Sequence, residues 1–244
     1  MNPIINQLIE RKSIRAFEDR EITPDEKNAI LYAAAQAPTA GNQQLYTILD
    51  ITDQELKEKL VITCDNQPFI AKAKMVLIFC ADCQKWYDGF NACECNPRKP
   101  GVGDLLLAVS DANIAAQNAV VAAHSLGIGS CYIGDIMENC EAHREMLNLP
   151  EYVFPCAMLV FGYPTENQLN REKPKRVDLK HIVHENGYRH MQVDELKEMF
   201  SSKTKTSVEE WMKMFCERKY NSDFSREMSR SVEVYIDKFM DIKE

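Results

Sequence analysis

Long hydrophobic runs are missing from this chain. The cleanest, Met75–Cys80, is strand-sized, and none approaches the ~18 residues that a helix needs to cross a bilayer. The opening Met-Asn-Pro-Ile-Ile-Asn-Gln-Leu-Ile-Glu-Arg-Lys lacks the basic-then-apolar order of a secretory signal. An excess of basic charge is missing too: 37 Asp and Glu stand against 29 Lys and Arg, a formal charge of −8. That balance argues against nucleic-acid binding, which relies on neutralising phosphates. No internal repeat and no low-complexity segment is present. Nine cysteines, an odd number, are scattered through 244 residues. A chain this long does not need disulfide staples, so they read as reduced thiols of a cytoplasmic protein with no membrane partner.

What is present is an ordinary globular composition, 45% hydrophobic, with strands and helices interspersed but without a regular βαβ rhythm. Ile4, Ile5, Leu8 and Ile9 share one helical face over residues 3–10. Thr23-Pro24-Asp25-Glu26 predicts a helix start with a capping box, and the helix should stop near Pro38. Residues 46–51, 75–81 and 156–163 read as strands, with a helix over 54–63 and a short one over 138–147. Residues 82–103 are polar and punctuated by Pro97, Pro100, Gly101 and Gly103, which predicts a long loop. Residues 104–126 carry alanine nearly all round a helix, so this helix should be buried and closely approached by another. The C-terminal part reads as helices over 193–200, 207–219 and 223–240, with Ser207-x-x-Glu210 a capping-box candidate for the second.

Three segments carry candidate chemistry. In an extended Arg11-Lys12-Ser13-Ile14-Arg15, alternate residues point the same way, so Arg11, Ser13 and Arg15 converge as two guanidinium forks around a hydroxyl. That suits a phosphate monoester, although such a short motif is more often a solvated basic turn. Lys173-Pro174-Lys175-Arg176 is a second basic cluster, otherwise a solubilising loop. Ala37-Pro38-Thr39-Ala40-Gly41-Asn42-Gln43-Gln44 offers small residues and amides that would let backbone approach a planar polar ring, or simply ends a helix. Gly101-Val102-Gly103 follows no strand and has Leu106 where a dinucleotide fingerprint needs a small residue. No metal is expected. His184-Glu185-Asn186-Gly187-Tyr188 lacks a second zinc-protease histidine, His181 and His184 have no partner set, and Cys83, Cys93 and Cys95 make only three ligands. Cys80, inside an apolar run, reads as a small hydrophobe.

Taken together and in order, these segments resemble the FMN-dependent nitroreductase family, especially its larger flavin-reductase-like branch. Arg11-Lys12-Ser13-Ile14-Arg15-Ala16-Phe17 is similar to the family's opening motif and Ala37–Gln43 to its second. The Ala-Gln-Asn-Ala core with Gly127-Ile128-Gly129-Ser130-Cys131-Tyr132-Ile133-Gly134 resembles the branch most specifically. Lys173–Arg176 with His184–Tyr188, and the final helix 225–239, complete the likeness.

The resemblance implies an α+β nitroreductase-like fold, a mixed, largely antiparallel sheet flanked by helices. It implies an intertwined homodimer with flavin at the interface, an FMN-binding core over 1–190, and a helical extension over 191–244 that embraces the partner. Arg11, Lys12, Ser13, Arg15, Lys173, Lys175 and Arg176 would serve the FMN phosphate, the ribityl chain or the reduced ring's charge. Pro38, Thr39, Asn42 and Gln67 would meet the ring or ribityl chain, and Tyr132, Ile133, Gly134 and Asp135 would run along the ring edge. Asp135 departs from the small residue usual there. The implied activity is ping-pong: hydride from NADPH or NADH passes through flavin N5 to nitroaromatics, quinones or free flavins, with no catalytic side chain. Arg218-Lys219 is a candidate contact for an NADPH 2′-phosphate. A specialised FMN-dependent dehydrogenase and a low-turnover redox sensor using Cys83, Cys93 and Cys95 are the rival readings.

Overall fold

Four strands build one antiparallel sheet in the computed structural model, which describes residues 2–240. Residue 1 and residues 241–244 of the expected ranges lie outside the described residues. In chain order the elements begin with α1 (Pro3–Glu10), α2 (Pro24–Ala35), β1 (Tyr46–Asp50), α3 (Gln54–Thr63), α4 (Phe69–Lys72) and β2 (Met75–Asp82). They continue with α5 (Gln84–Ala92), α6 (Val102–Ser125), β3 (Gly129–Ile133), α7 (Cys140–Met146), β4 (Val153–Gly162) and α8 (Glu166–Asn170). The last three are α9 (Val193–Ser201), α10 (Val208–Lys219) and α11 (Asp223–Met240). Sheet order is β1-β2-β4-β3.

The central strand β2 is buried on both faces, as its unbroken apolar run requires. Leu77, Phe79 and Ala81 join one core with α6 alanines, while Val76, Ile78 and Cys80 join another with Leu60, Cys64 and Ile70. Period-two alternation thus supplies two cores from one strand. The register slips at Phe79 and Cys80, where Cys156 and Ala157 both turn to the α6 side as a bulge.

Although Asp104 and Asp111 interrupt its apolar run, α6 averaged over its length is apolar enough by composition to cross a membrane, but Ala108, Ala112, Ala115, Ala116 and Ala119 are fully buried against the sheet and α2. Small side chains allow that approach, and Asn118 Nδ2 donates to Ala33 O across it at 3.2 Å. The start of α2 is as expected: Thr23 accepts from Glu26 N while Glu26 accepts from Thr23 N. It stops at Ala35, before Pro38.

One expectation is overturned. Residues 82–103 are not a continuous loop, because Asp82 ends β2 and α5 occupies 84–92. Trp86 and Phe90 lie four apart on one face of α5, with rings 5.5 Å apart, and Tyr87 packs edge-on to Tyr152. Polar neighbours and Gly89 mask that short apolar face in the sequence. Only the proline-rich remainder is irregular. The strand β3 was likewise obscured, since Gly129-Ser130-Cys131 offers little bulk to show a period.

The chain divides into two units, one of Met1–Arg171 with Glu227–Glu244, the other of Glu172–Arg226. In the first, Tyr235 and Phe239 of α11 are buried, stacking edge-on to Phe154 and Tyr152. In the second, Trp211 stacks on Phe215 and tilts against Phe200, joining α9 to α10.

Candidate flavin site

The segment 11–17 runs along the exposed edge of β3. Ile14 N donates to Ser130 O at 2.9 Å, Ser13 and Ser130 form a parallel bridge, and Phe17 bridges Pro164. Buried Ile14 holds the strand down, so its neighbours Ser13 and Arg15 turn to the opposite side. Two glycines, paired across β3 and β4, permit the approach. A Cβ on Gly129 would lie 2.5 Å from Ile14 Cγ1, and one on Gly162 2.7 Å from the Phe17 ring.

Arg11, Ser13 and Arg15 gather around the Cys131 thiol. Burial pushes that thiol up, and Arg15, Ser13 and Arg11 offset only part of the rise. Arg11 Nη1 is buried and has no hydrogen-bond partner. An orphaned guanidinium nitrogen is costly unless an acceptor arrives, so this cluster fits an anionic group such as a phosphate. Lys12 turns away and donates to the carbonyls of Leu169 and Arg171, tying α8 to the segment, and Arg171 in turn donates to Ser13 O.

A second group forms where β3 ends. Two left-handed residues, Asp65 (φ 59°) and Asn66 (φ 51°), reverse the chain after α3 and present Gln67. Gln67 Nε2 donates to Cys64 O at 2.9 Å and Asp135 Oδ2 at 3.0 Å. Two acceptors fix the amide's orientation and leave its Oε1 as an open acceptor. Asp135 sits in a 3-10 turn, Gly134–Met137. Ile133 is buried, and the Tyr132 phenol, 3.4 Å from Gln117 Oε1, is pushed up to about 12 by burial.

The third group is the 38–44 loop, organised by a residue that the sequence did not flag. Asp111, 3% exposed on α6, accepts from the Thr39 hydroxyl, from Ala40 N at 2.9 Å and from Leu45 N at 3.2 Å. Thr39 Oγ1 accepts from Gln44 N at 2.7 Å. The loop needs such bracing because Gly41, Asn42 and Gln44 all have positive φ. Its signal in the sequence was a lone acid among alanines.

Neither the Gln67–Asp135 group nor the arginine cluster adjoins this loop. Ala37 and Leu45 belong to the α6 core, whereas Cys64, Ile70 and Ile136, which flank Gln67 and Asp135, belong to the core on the sheet's other face. Arg11 adjoins His124 near the end of α6, thirteen residues or roughly 20 Å along the axis from Asp111 at 1.5 Å per residue.

Beside the loop, Trp86 Nε1 donates to Gln43 O at 2.8 Å, and a cavity of about 290 Å³ opens between Trp86, Phe90, Leu45 and Leu107. Cys83 is buried there, its thiol pushed up to about 12 by burial, which makes it a poor nucleophile. Cys93 and Cys95 are exposed. In the second unit, Lys175 and Arg176 are exposed and Lys173 partly so, and Lys203 Nζ reaches Lys175 O at 3.4 Å. Arg218 and Lys219 lie over the rings of Phe215 and Phe224.

An edge-bound phosphate-ready cluster on an α+β sheet with an alanine-lined central helix defines a class of protein, and the sequence matches agree. The chain belongs to the nitroreductase family, whose model matches residues 8–163. It is 36% identical over 189 residues to an oxygen-insensitive NADPH nitroreductase of Salmonella typhimurium, covering 77% of this chain and 75% of the relative. It is 30% identical over 240 residues to an FMN reductase [NAD(P)H] of Bacillus subtilis, covering 98% and 92%. A crystal structure of an oxidoreductase from Bacteroides fragilis superposes with a TM-score of 0.87 at 28% identity, covering 97% of this chain and all of that one.

Proposed function

We propose that the chain is an FMN-dependent NAD(P)H oxidoreductase that reduces small oxidised acceptors such as nitroaromatics, quinones or free flavins. The observation that carries this is the buried, unpartnered Arg11 Nη1 beside Ser13 and Arg15. Two guanidiniums and a hydroxyl around one point bind a phosphate monoester well, and the family likeness makes FMN its bearer. Bound FMN supplies the two-electron chemistry; the protein's part is to hold, orient and exclude water.

In that role Arg11, Ser13 and Arg15 take the phosphate, and Gln67 Oε1 accepts from a polar group of the cofactor. Tyr132, Ile133, Gly134 and Asp135 run along the ring. Lys12 braces the cradle through Leu169 and Arg171. Lys173, Lys175 and Arg176 are further phosphate candidates by family likeness alone. The protein is read as a homodimer. Ala37, Ala40 and Leu45, which bracket Pro38, Thr39 and Asn42, pack in the α6 core, whereas Cys64, Ile70 and Ile136 beside Gln67 and Asp135 pack in the other, so one ring would meet both sets if a second copy lent its 38–44 loop. The same reading assigns residues 1–190 to the flavin-binding core and 191–244 to a helical extension. The nine free thiols suit a reducing cytoplasm.

Steady-state assays of NADPH and NADH oxidation with a quinone or nitroaromatic test this. Parallel double-reciprocal lines that vanish in flavin-free protein are expected. Turnover independent of flavin would overturn the reading.

A further inference from the structure

Glu138 is 5% exposed, directly after the turn that carries Asp135, and one of its carboxyl oxygens, Oε1, has no hydrogen-bond partner. A buried carboxylate demands a cation or several donors. The charged groups that act most strongly on Glu138 are acids: Asp135 on its own turn, Asp65 from the turn after α3, and Glu227 from α11. Arg230 is taken up by Glu227 and Glu141, and holds the Glu227 carboxyl down at about 2. From α7, His143 faces the backbone carbonyls of Glu138 and Ile136; burial pushes its pKa down, so it brings no positive charge. The Cys64 thiol is pushed up by burial and stays neutral. Burial and these acids raise Glu138 to about 7.

The geometry supplies one stable arrangement. The Glu138 carboxyl lies within hydrogen-bonding reach of the Asp135 carboxylate, and two such groups avoid repulsion by sharing a proton. Asp135 Oδ2 already accepts from Gln67 Nε2, so Asp135 serves as the acceptor of the pair and Glu138 as the donor. We propose that Glu138 is a positioning residue: as the neutral acid it clamps Asp135, which in turn keeps the Gln67 acceptor aimed at the cofactor. This rests on the flavin-binding reading above. Deprotonation sets two acids against each other beside Glu227, and the Asp135–Gln67 contact slackens.

Two readouts test it without turnover. FMN dissociation constants are measured by flavin fluorescence from pH ~6 to ~8.5, spanning the window in which a shared proton is lost. In the wild type affinity should fall about tenfold, one hydrogen bond's worth. Glu138→Gln, whose amide donates to Asp135 at every pH, should bind tightly with a flat profile, and Glu138→Ala should bind weakly throughout. Infrared spectra of the flavin-free protein should show a protonated-carboxyl C=O band near neutrality that disappears in Glu138→Gln. A wild-type profile retained by Glu138→Gln, or no such band, overturns the proposal. Absence of FMN binding at every pH overturns the functional reading instead, and the infrared band still decides the state of Glu138. Should Glu138→Gln fail to fold, Asp135→Asn serves: it removes the repelling charge, so the wild-type band should titrate at lower pH in that variant.

Discussion

Replacing Asp111 should unfasten the 38–44 loop. In Asp111→Ala the N–H groups of Ala40 and Leu45 lose their acceptor, and so does the Thr39 hydroxyl. Each stranded backbone donor costs about 1–3 kcal/mol, and removing a buried negative charge returns part of that. The net loss is roughly 3 kcal/mol, and at ~2–4 °C per kcal/mol for a chain of this size the melting temperature falls by about 6–12 °C. Thermal unfolding of the flavin-free protein by circular dichroism reads this directly. Asp111→Asn keeps the shape and one acceptor, so it should fall between wild type and alanine. A change of less than ~0.5 kcal/mol in Asp111→Ala, the range of ordinary surface substitutions, would refute the anchoring role.

Gly129→Ala places a methyl 2.5 Å from Ile14, so stability should drop by about 1–3 kcal/mol; in urea titrations Ile14→Ala should restore much of it, and additive losses would show that the contact is not responsible. Arg15→Ala should weaken FMN binding by ~1.5–3 kcal/mol, the worth of a charge-assisted bond; an unchanged dissociation constant removes Arg15 from the site. Glu138 makes stability pH-dependent. Its folded pKa is raised from an ordinary 4.5 to about 7, so the folded chain keeps a proton that the unfolded chain releases, and its contribution is lost as pH rises through that window. At 1.36 kcal/mol per unit the upper bound is about 3 kcal/mol; urea midpoints of Glu138→Gln should exceed wild type at pH ~8 and converge with it toward pH ~5.

Local signals carried much of the fold. The Thr23–Glu26 box, the alternating run of β2 and the alanine-rich α6 follow from neighbours within a few residues, where sequence spacing dictates geometry. The convergence of Arg11, Ser13 and Arg15 was legible for the same reason, because an extended chain alternates. What could not be read depends on distant pairing. Asp111 lies 66 residues or more from the three groups that it holds. The seclusion of Glu138 depends on acids from Asp65 and Glu227, and α5 depends on Gln43 and Tyr152 to make use of its aromatic face. The division of candidate residues between two sheet faces is a property of topology, which no local spacing encodes.

Flavin-dependent turnover is tested most directly by the visible absorption spectrum of protein reconstituted with FMN and desalted, before and after anaerobic NADPH or NADH. Flavin bands that survive desalting, bleach with a nicotinamide and return with a quinone or nitroaromatic are the expected result. Protein that loses all flavin on desalting, or bands that neither nicotinamide bleaches, would contradict it.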